Sequence, residues 1–154
     1  FNAWNNTAPT SSVVNLGGNI SGVNTSSRHI MYCWHSVEGY SKFGEYTGRN
    51  TSGRYPFVYL GFKPALVVIK CRTQIEDWFV YDNARYPNNP AEKIIRWNTS
   101  AEESGTGNDI DLLSNGFRIR NTVNDVNSNA HPFVYMAWAE SPFGGENAPP
   151  ATAR

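Results

Sequence analysis

Between Ala65 and Lys70 the chain reads ALVVIK, a continuous apolar run of strand length in which Val67, Val68 and Ile69 are β-branched. Lys63 and Lys70 flank the run, so it is far too short to cross a membrane. Its branched side chains favour a pleated surface over a helix. Thr73–Glu76 is polar and short enough for a hairpin loop, after which Asp77–Asp82 resumes with Trp78, Phe79, Val80 and Tyr81. Gly61 and Pro64 punctuate the approach, where a proline cannot donate to a central ladder. We therefore expect Ala65–Arg72 and Asp77–Asp82 to pair as a central antiparallel hairpin. A hairpin this apolar needs both faces covered, so the rest of the chain has to furnish a second layer.

The other apolar segments are short and separated by turn residues. Val13–Leu16 reads as a strand ended by Gly17-Gly18, and Ile30–Trp34, Lys93–Trp97 and Phe133–Glu140 read as further strands. Ile110–Leu113 and Gly116–Arg120 read as a hairpin across Ser114-Asn115-Gly116, where Asn-Gly favours a positive φ. Ser36–Gly53 is loop-like, with Gly39, Gly44, Gly48 and Gly53 spaced among Tyr40, Phe43 and Tyr46. Asn98–Asn108 reads as a polar loop with a helical turn at Ala101–Ser104. No segment has sustained helical periodicity with caps. The expectation is an all-β fold, an antiparallel β-sandwich with an internal pseudo-repeat.

The repeat aligns Trp4-Asn5 with Trp97-Asn98, Val23-Asn24 with Val126-Asn127, Tyr32-Cys33-Trp34 with Met136-Ala137-Trp138, and Phe43-Gly44 with Phe143-Gly144. The second copy follows the central hairpin and the first has none ahead of it. Residues 1–27 are accordingly expected to be a polar segment, a donated strand or the end of a preceding repeat. Residues 28–144 are expected to form the sandwich and residues 145–154 a flexible tail. We expect Ile30–Trp34 to complete the sandwich within its own chain, and Phe1–Leu16 to be a candidate for strand donation to a neighbouring copy.

Composition narrows the partners. The formal net charge is +0, from 13 basic and 13 acidic residues, a poor footprint for nucleic acid or an anionic membrane surface. Cys33 and Cys71 lack metal spacing and lie in predicted strands, so two small buried thiols are the preferred reading, with an interstrand disulfide as the alternative. The chain starts at Phe1 with no basic and apolar leader, and we take it as a fragment, a processed product or the ordered part of something longer.

The string YCWHSVEGYSKFGEYTG, Tyr32 to Gly48, carries a family resemblance. With PFVYLGFKPALVVIK, DWFVYDNARYP, LLSNGFRIR and VYMAWAESPF, in that order, it resembles a module common at the C-terminal ends of bacteriophage tail proteins, mainly marine and environmental tail fibres. The resemblance runs from Trp4 to Phe143. It implies a virion surface component on the extracellular side, concerned with host attachment, and it implies no catalytic residues. The tail GGENAPPATAR departs from it, since such modules often stop soon after the aromatic matching Phe143.

The residues themselves argue against chemistry. His29, His35 and His131 lack the spacing of a ligand set, so we expect no metal and no cofactor. Glu38, Glu45, Asp77, Asp82 and Glu140 show no alternation that would put a carboxylate pair on one strand face, and no G-x-S-x-G elbow occurs. The spaced glycines are not followed by a phosphate-loop lysine. Five tryptophans are present, and Trp34 and Trp138, equivalent in the repeat, read as core. Trp97, beside Arg96 and leading into a polar loop, is the candidate platform for a sugar ring, with Tyr40, Tyr46 and Tyr55 as second candidates. Glycosylation sequons fall at Asn5, Asn19, Asn24, Asn50 and Asn98. The expected function is a non-enzymatic structural and adhesion module that self-assembles as a homo-oligomer or filament and makes weak, multivalent contacts to cell-surface glycans. The alternatives are a building block of an extracellular, pilus-like fibril assembled by strand addition, and a glycan-processing enzyme.

Overall fold

The structure, a computed structural model, describes residues 4–18 and 24–142. Asn19, Phe143 and the tail fall outside them. The chain divides into two compact units, Phe1–Cys33 and Trp34–Arg154.

The second unit is built from eight strands: β1 (Ser41–Thr47), β2 (Phe57–Tyr59), β3 (Pro64–Cys71), β4 (Phe79–Asp82), β5 (Ala91–Arg96), β6 (Ser104–Leu113), β7 (Gly116–Ile119) and β8 (Pro132–Ala139). One helical turn, α1 (Asn124–Asn127), lies between β7 and β8. The strands form a single antiparallel order, β1-β8-β3-β4-β5-β6-β7-β2. The expected central hairpin is present, with Val67 opposite Tyr81 and Ile69 opposite Phe79. Pleating turns Val67, Ile69 and Cys71 to one face and Leu66, Val68 and Lys70 to the other. Only the first set belongs to the main core, together with Tyr46, Val58, Tyr81, Ile94, Ile110, Phe117 and Phe133.

Every strand thus contributes to one core, which requires the sheet to curl back on itself. Rings from the two halves meet: Phe117 of β7 lies edge-on to Tyr46 of β1 at 6.1 Å and to Tyr135 of β8 at 5.5 Å, and Tyr46 stacks on Phe133 at 5.1 Å. The two layers expected of a sandwich are therefore the halves of one nearly closed, barrel-like sheet. Each fully buried ring contributes roughly 1.5–3 kcal/mol relative to exposure.

Local sequence misled in several places. The glycine-rich stretch expected to be a loop contains β1. A Cβ on Gly44 would meet Tyr135 Oη at 2.7 Å, so the glycine makes room for a ring on the paired strand. The helical turn expected at Ala101–Ser104 is absent, because β6 already starts at Ser104 and pairs with Ile94. The hairpin of β6 and β7 closes as expected, yet neither Asn115 nor Gly116 has a positive φ. Glycine is needed at 116 for a different reason: a Cβ there would lie 2.0 Å from the carbonyl oxygen of Val58 on β2.

The first unit has no strand among its described residues. At Val13 the N–H donates to Thr10 Oγ1 at 3.0 Å, a local side-chain bond in place of a ladder. Ile30–Trp34 is likewise outside any strand, with Ile30 81% exposed. The sequence pseudo-repeat is therefore not a structural one. Trp34 is exposed, whereas its counterpart Trp138 is half-buried on the outer face of β8, edge-on to Phe43 at 5.5 Å. Neither is in the core expected of them. Of the two thiols, Cys71 is buried and Cys33 exposed, and both are free.

Candidate functional site

A curled sheet that is not fully hydrogen-bonded has a seam, and here it lies between the terminal strands β1 and β2. The N–H of Ala139 donates to the Tyr40 carbonyl at 2.8 Å, and that of Gly48 donates to the His131 carbonyl at 2.9 Å. Even-numbered residues of β1 thus bond to β8, and odd-numbered ones turn their backbone groups to the seam. At the lower end, the Ser41 N–H and carbonyl both pair with Val37 at 2.9 Å, and the Phe43 N–H donates to Ser36 Oγ at 3.0 Å. Lys42 Nζ crosses the seam to donate to the Tyr59 carbonyl of β2 at 2.9 Å, with the ammonium 5.3 Å from the centre of the Tyr59 ring.

Around this bridge is an open cleft of about 350 Å³ whose lining includes Ser36, Glu38, Lys42, Tyr59, Gly61 and Phe62. Tyr59, on its β2 side, is 60% exposed. An aromatic face beside an ammonium, a carboxylate and a hydroxyl is chemically suited to a polar ligand with an apolar face. Among the residues lining the cleft, Glu38 is the one carboxylate. Of the other acids singled out in the sequence, Glu45 pairs with Arg72, Asp77 with Arg96, Asp82 with Arg85 and Glu140 with Lys63.

The predicted ligand residues do not form one surface. Tyr40 is 46% exposed and adjoins the cleft through Gly39 and Ser41. Tyr46 is not a loop residue: it is buried in β1, its hydroxyl donating to the Val126 carbonyl at 2.6 Å. Burial, and then the nearby Tyr81 and Cys71, push its phenol well above the usual range, so it stays a neutral donor. Arg96 is held by Asp77 at 3.1 Å and Ser104 Oγ at 3.0 Å, over the Phe79 ring at 5.6 Å. Trp97 is 53% exposed. It follows the Arg96–Phe79–Ile69 row, whereas Tyr40 adjoins the Ala139–Pro64 row at the opposite end of the sheet. Lys42, Tyr59 and Glu38 were not legible as a site, because a contact across 17 residues of sequence leaves no local pattern.

The described sequons Asn5, Asn24, Asn50 and Asn98 are all exposed. Three of these amides are engaged: Asn24 donates to the Gly17 carbonyl, Asn50 to Asn124, and Asn98 to Asp77 at 2.8 Å. Each histidine has a local partner, His29 bonding with Thr25, His35 with the Ser36 carbonyl and His131 with Thr73. Among the described residues no three His, Cys, Asp or Glu side chains form a metal-binding group, and no helix is long and apolar enough to cross a membrane.

Fold and cleft together define an all-β module with a curled antiparallel sheet and a polar, aromatic seam. The chain belongs to the family described as Domain of unknown function (DUF7483), whose profile matches residues 1–142. No match was found among curated proteins or among solved structures.

Proposed function

We propose that this domain is a non-enzymatic structural and adhesion module of a phage tail fibre or a similar virion surface protein, and that its seam cleft makes weak, multivalent contacts to host-surface glycans. The observation that carries the reading is the exposed Tyr59 ring with Lys42 and Glu38 beside it. Sugar rings offer apolar C–H faces to such a plate and hydroxyls to the charged groups around it. Hydrolysis of a glycoside needs two carboxylates across one groove, and Glu38 stands alone in the lining of this one. Individually weak contacts become useful when several copies engage together. The resemblance to tail-fibre modules supports the virion setting.

The test is binding of the domain, displayed in several copies on a bead, to a panel of bacterial surface polysaccharides. Tyr59→Ala is expected to weaken binding of any polysaccharide captured by about five- to tenfold per site, the effect of losing one aromatic contact. Trp97→Ala, at the other end of the sheet, is expected to leave it unchanged. Loss of binding with Trp97→Ala and retention with Tyr59→Ala would move the site away from the seam.

A further inference from the structure

We propose that Asn115 is a site of spontaneous modification, where loss of ammonia turns the Asn115–Gly116 link into an isoaspartyl link, and that this change releases the β2 wall of the seam cleft. Asn115-Gly116 is the one Asn-Gly pair in the chain. Asn115 lies in the tight turn between β6 and β7, where it is exposed, and its side-chain amide makes no hydrogen bond among the described residues. Other exposed asparagines are held or hindered. Asn89 bonds the N–H and the carbonyl of Leu112 at 2.9 and 3.0 Å, and Asn98 bonds Asp77 and the Trp78 N–H at 2.8 and 2.9 Å. Asn129 precedes Ala130, whose Cβ crowds the nitrogen that would have to attack. At 116 only glycine fits, because a Cβ there would lie 2.0 Å from the Val58 carbonyl oxygen. The close approach of β2 thus sets the least hindered nitrogen beside an unheld amide.

The reaction needs only water. Solvent base takes the Gly116 N–H proton, the nitrogen attacks Cγ of Asn115, and Nδ2 leaves as ammonia, closing a succinimide. Gly116 pairs with Leu113 in the last rung of the β6–β7 ladder, so opening that one rung frees the nitrogen. Water then adds to the former main-chain carbonyl carbon of Asn115 and breaks its bond to the Gly116 nitrogen. The main chain now runs through Cβ and Cγ, one methylene longer, and the old carbonyl is a free carboxylate. That carbonyl is the acceptor for the N–H groups of Leu60 at 2.9 Å and Gly61 at 3.2 Å. Both residues line the cleft beside Tyr59, which itself pairs with Gly116. The added methylene moves the acceptor and pushes Gly116 against Val58, where there is no slack. This inference rests on the geometry of the cleft and not on what the cleft binds.

Ageing the folded full chain in mildly alkaline buffer tests it. Peptide mapping by mass spectrometry is expected to show the amide-to-acid mass shift at residue 115 ahead of every other asparagine. The isoaspartyl form, recognised by electron-transfer fragmentation, is expected as the main product. Asn115→Gln, whose longer side chain closes the ring slowly, is expected to lose the shift and keep the native melting temperature, since the position is exposed. In the aged protein, amide hydrogen exchange at Leu60 and Gly61 is expected to quicken severalfold. Freshly prepared Asn115→Asp, with the charge but an ordinary main chain, should exchange like the native protein. An intact amide at 115 while other asparagines convert, conversion only in urea, aspartate as the sole product, or unchanged exchange in the aged form overturns the proposal. Equal loosening in Asn115→Asp overturns it too, by assigning the effect to charge.

Discussion

Replacing Val67 or Ile69 with aspartate is expected to unfold the sheet domain. Both side chains are 0% exposed and face the single core, in the strand that pairs with both β8 and β4. An unpaired carboxylate there has no partner cation and no water. The expected loss is roughly 3–5 kcal/mol or more, against a total stability of about 5–15 kcal/mol for a domain. Urea titration followed by far-ultraviolet circular dichroism checks it. Val68 points to the opposite face, between Val80 and Met136, and is also only 1% exposed, so Val68→Asp should cost a loss of the same order. Native melting in Val67→Asp would mean the inner face of β3 is not the core.

The second large effect is expected at Asn127, which is 0% exposed and tethers the chain leaving β1 to the turn α1. Its Oδ1 accepts from the Arg49 N–H at 2.6 Å, and its Nδ2 donates to the carbonyls of Arg49 at 3.0 Å and Asn121 at 2.6 Å. Asn127→Leu keeps the volume close and strands all of these backbone groups. Each unsatisfied buried group costs about 1–3 kcal/mol, so the sum approaches the effect of a core charge. A large fall in melting temperature, with faster amide exchange at Arg49, is the expected result. Little change in either would show that water replaces the asparagine. Asn50→Ala, whose 3.4 Å bond to Asn124 is at the surface, should be nearly silent.

The parts of this fold that the sequence discloses are those whose signal is local. ALVVIK followed by a short polar loop and WFVY needs no distant information to be read as a hairpin, and the same holds for the two-residue turn between Leu113 and Gly116. Readings failed where tertiary contacts overrode local preference. Gly44 looks like a loop residue until the Tyr135 ring beside it is known, and Ser104–Asp109 looks like a loop until β5 is available to pair with it. Ile30–Trp34 fails in the opposite sense, having strand composition yet lying in no strand. The cleft was the least legible feature. Tyr40 stands out in the sequence because an aromatic among glycines is a local sign, but Lys42 and Tyr59 meet only because the sheet curls, and Tyr46, two strand positions from Gly44, points inward for the same reason.

The placement of the aromatic residues also governs what an optical experiment can see. None of the five tryptophans is in the core: Trp4, Trp34 and Trp97 are 53%, 55% and 53% exposed, and Trp78 and Trp138 are half-buried. The deep positions belong to Tyr46, Tyr81, Phe79, Phe117 and Phe133. Indole emission from the native protein will therefore already resemble that of solvated tryptophan, and unfolding will shift its wavelength little. Phenol absorbance reports the collapse of the interior instead, since Tyr46 and Tyr81 pass from a dry environment into water when the sheet opens.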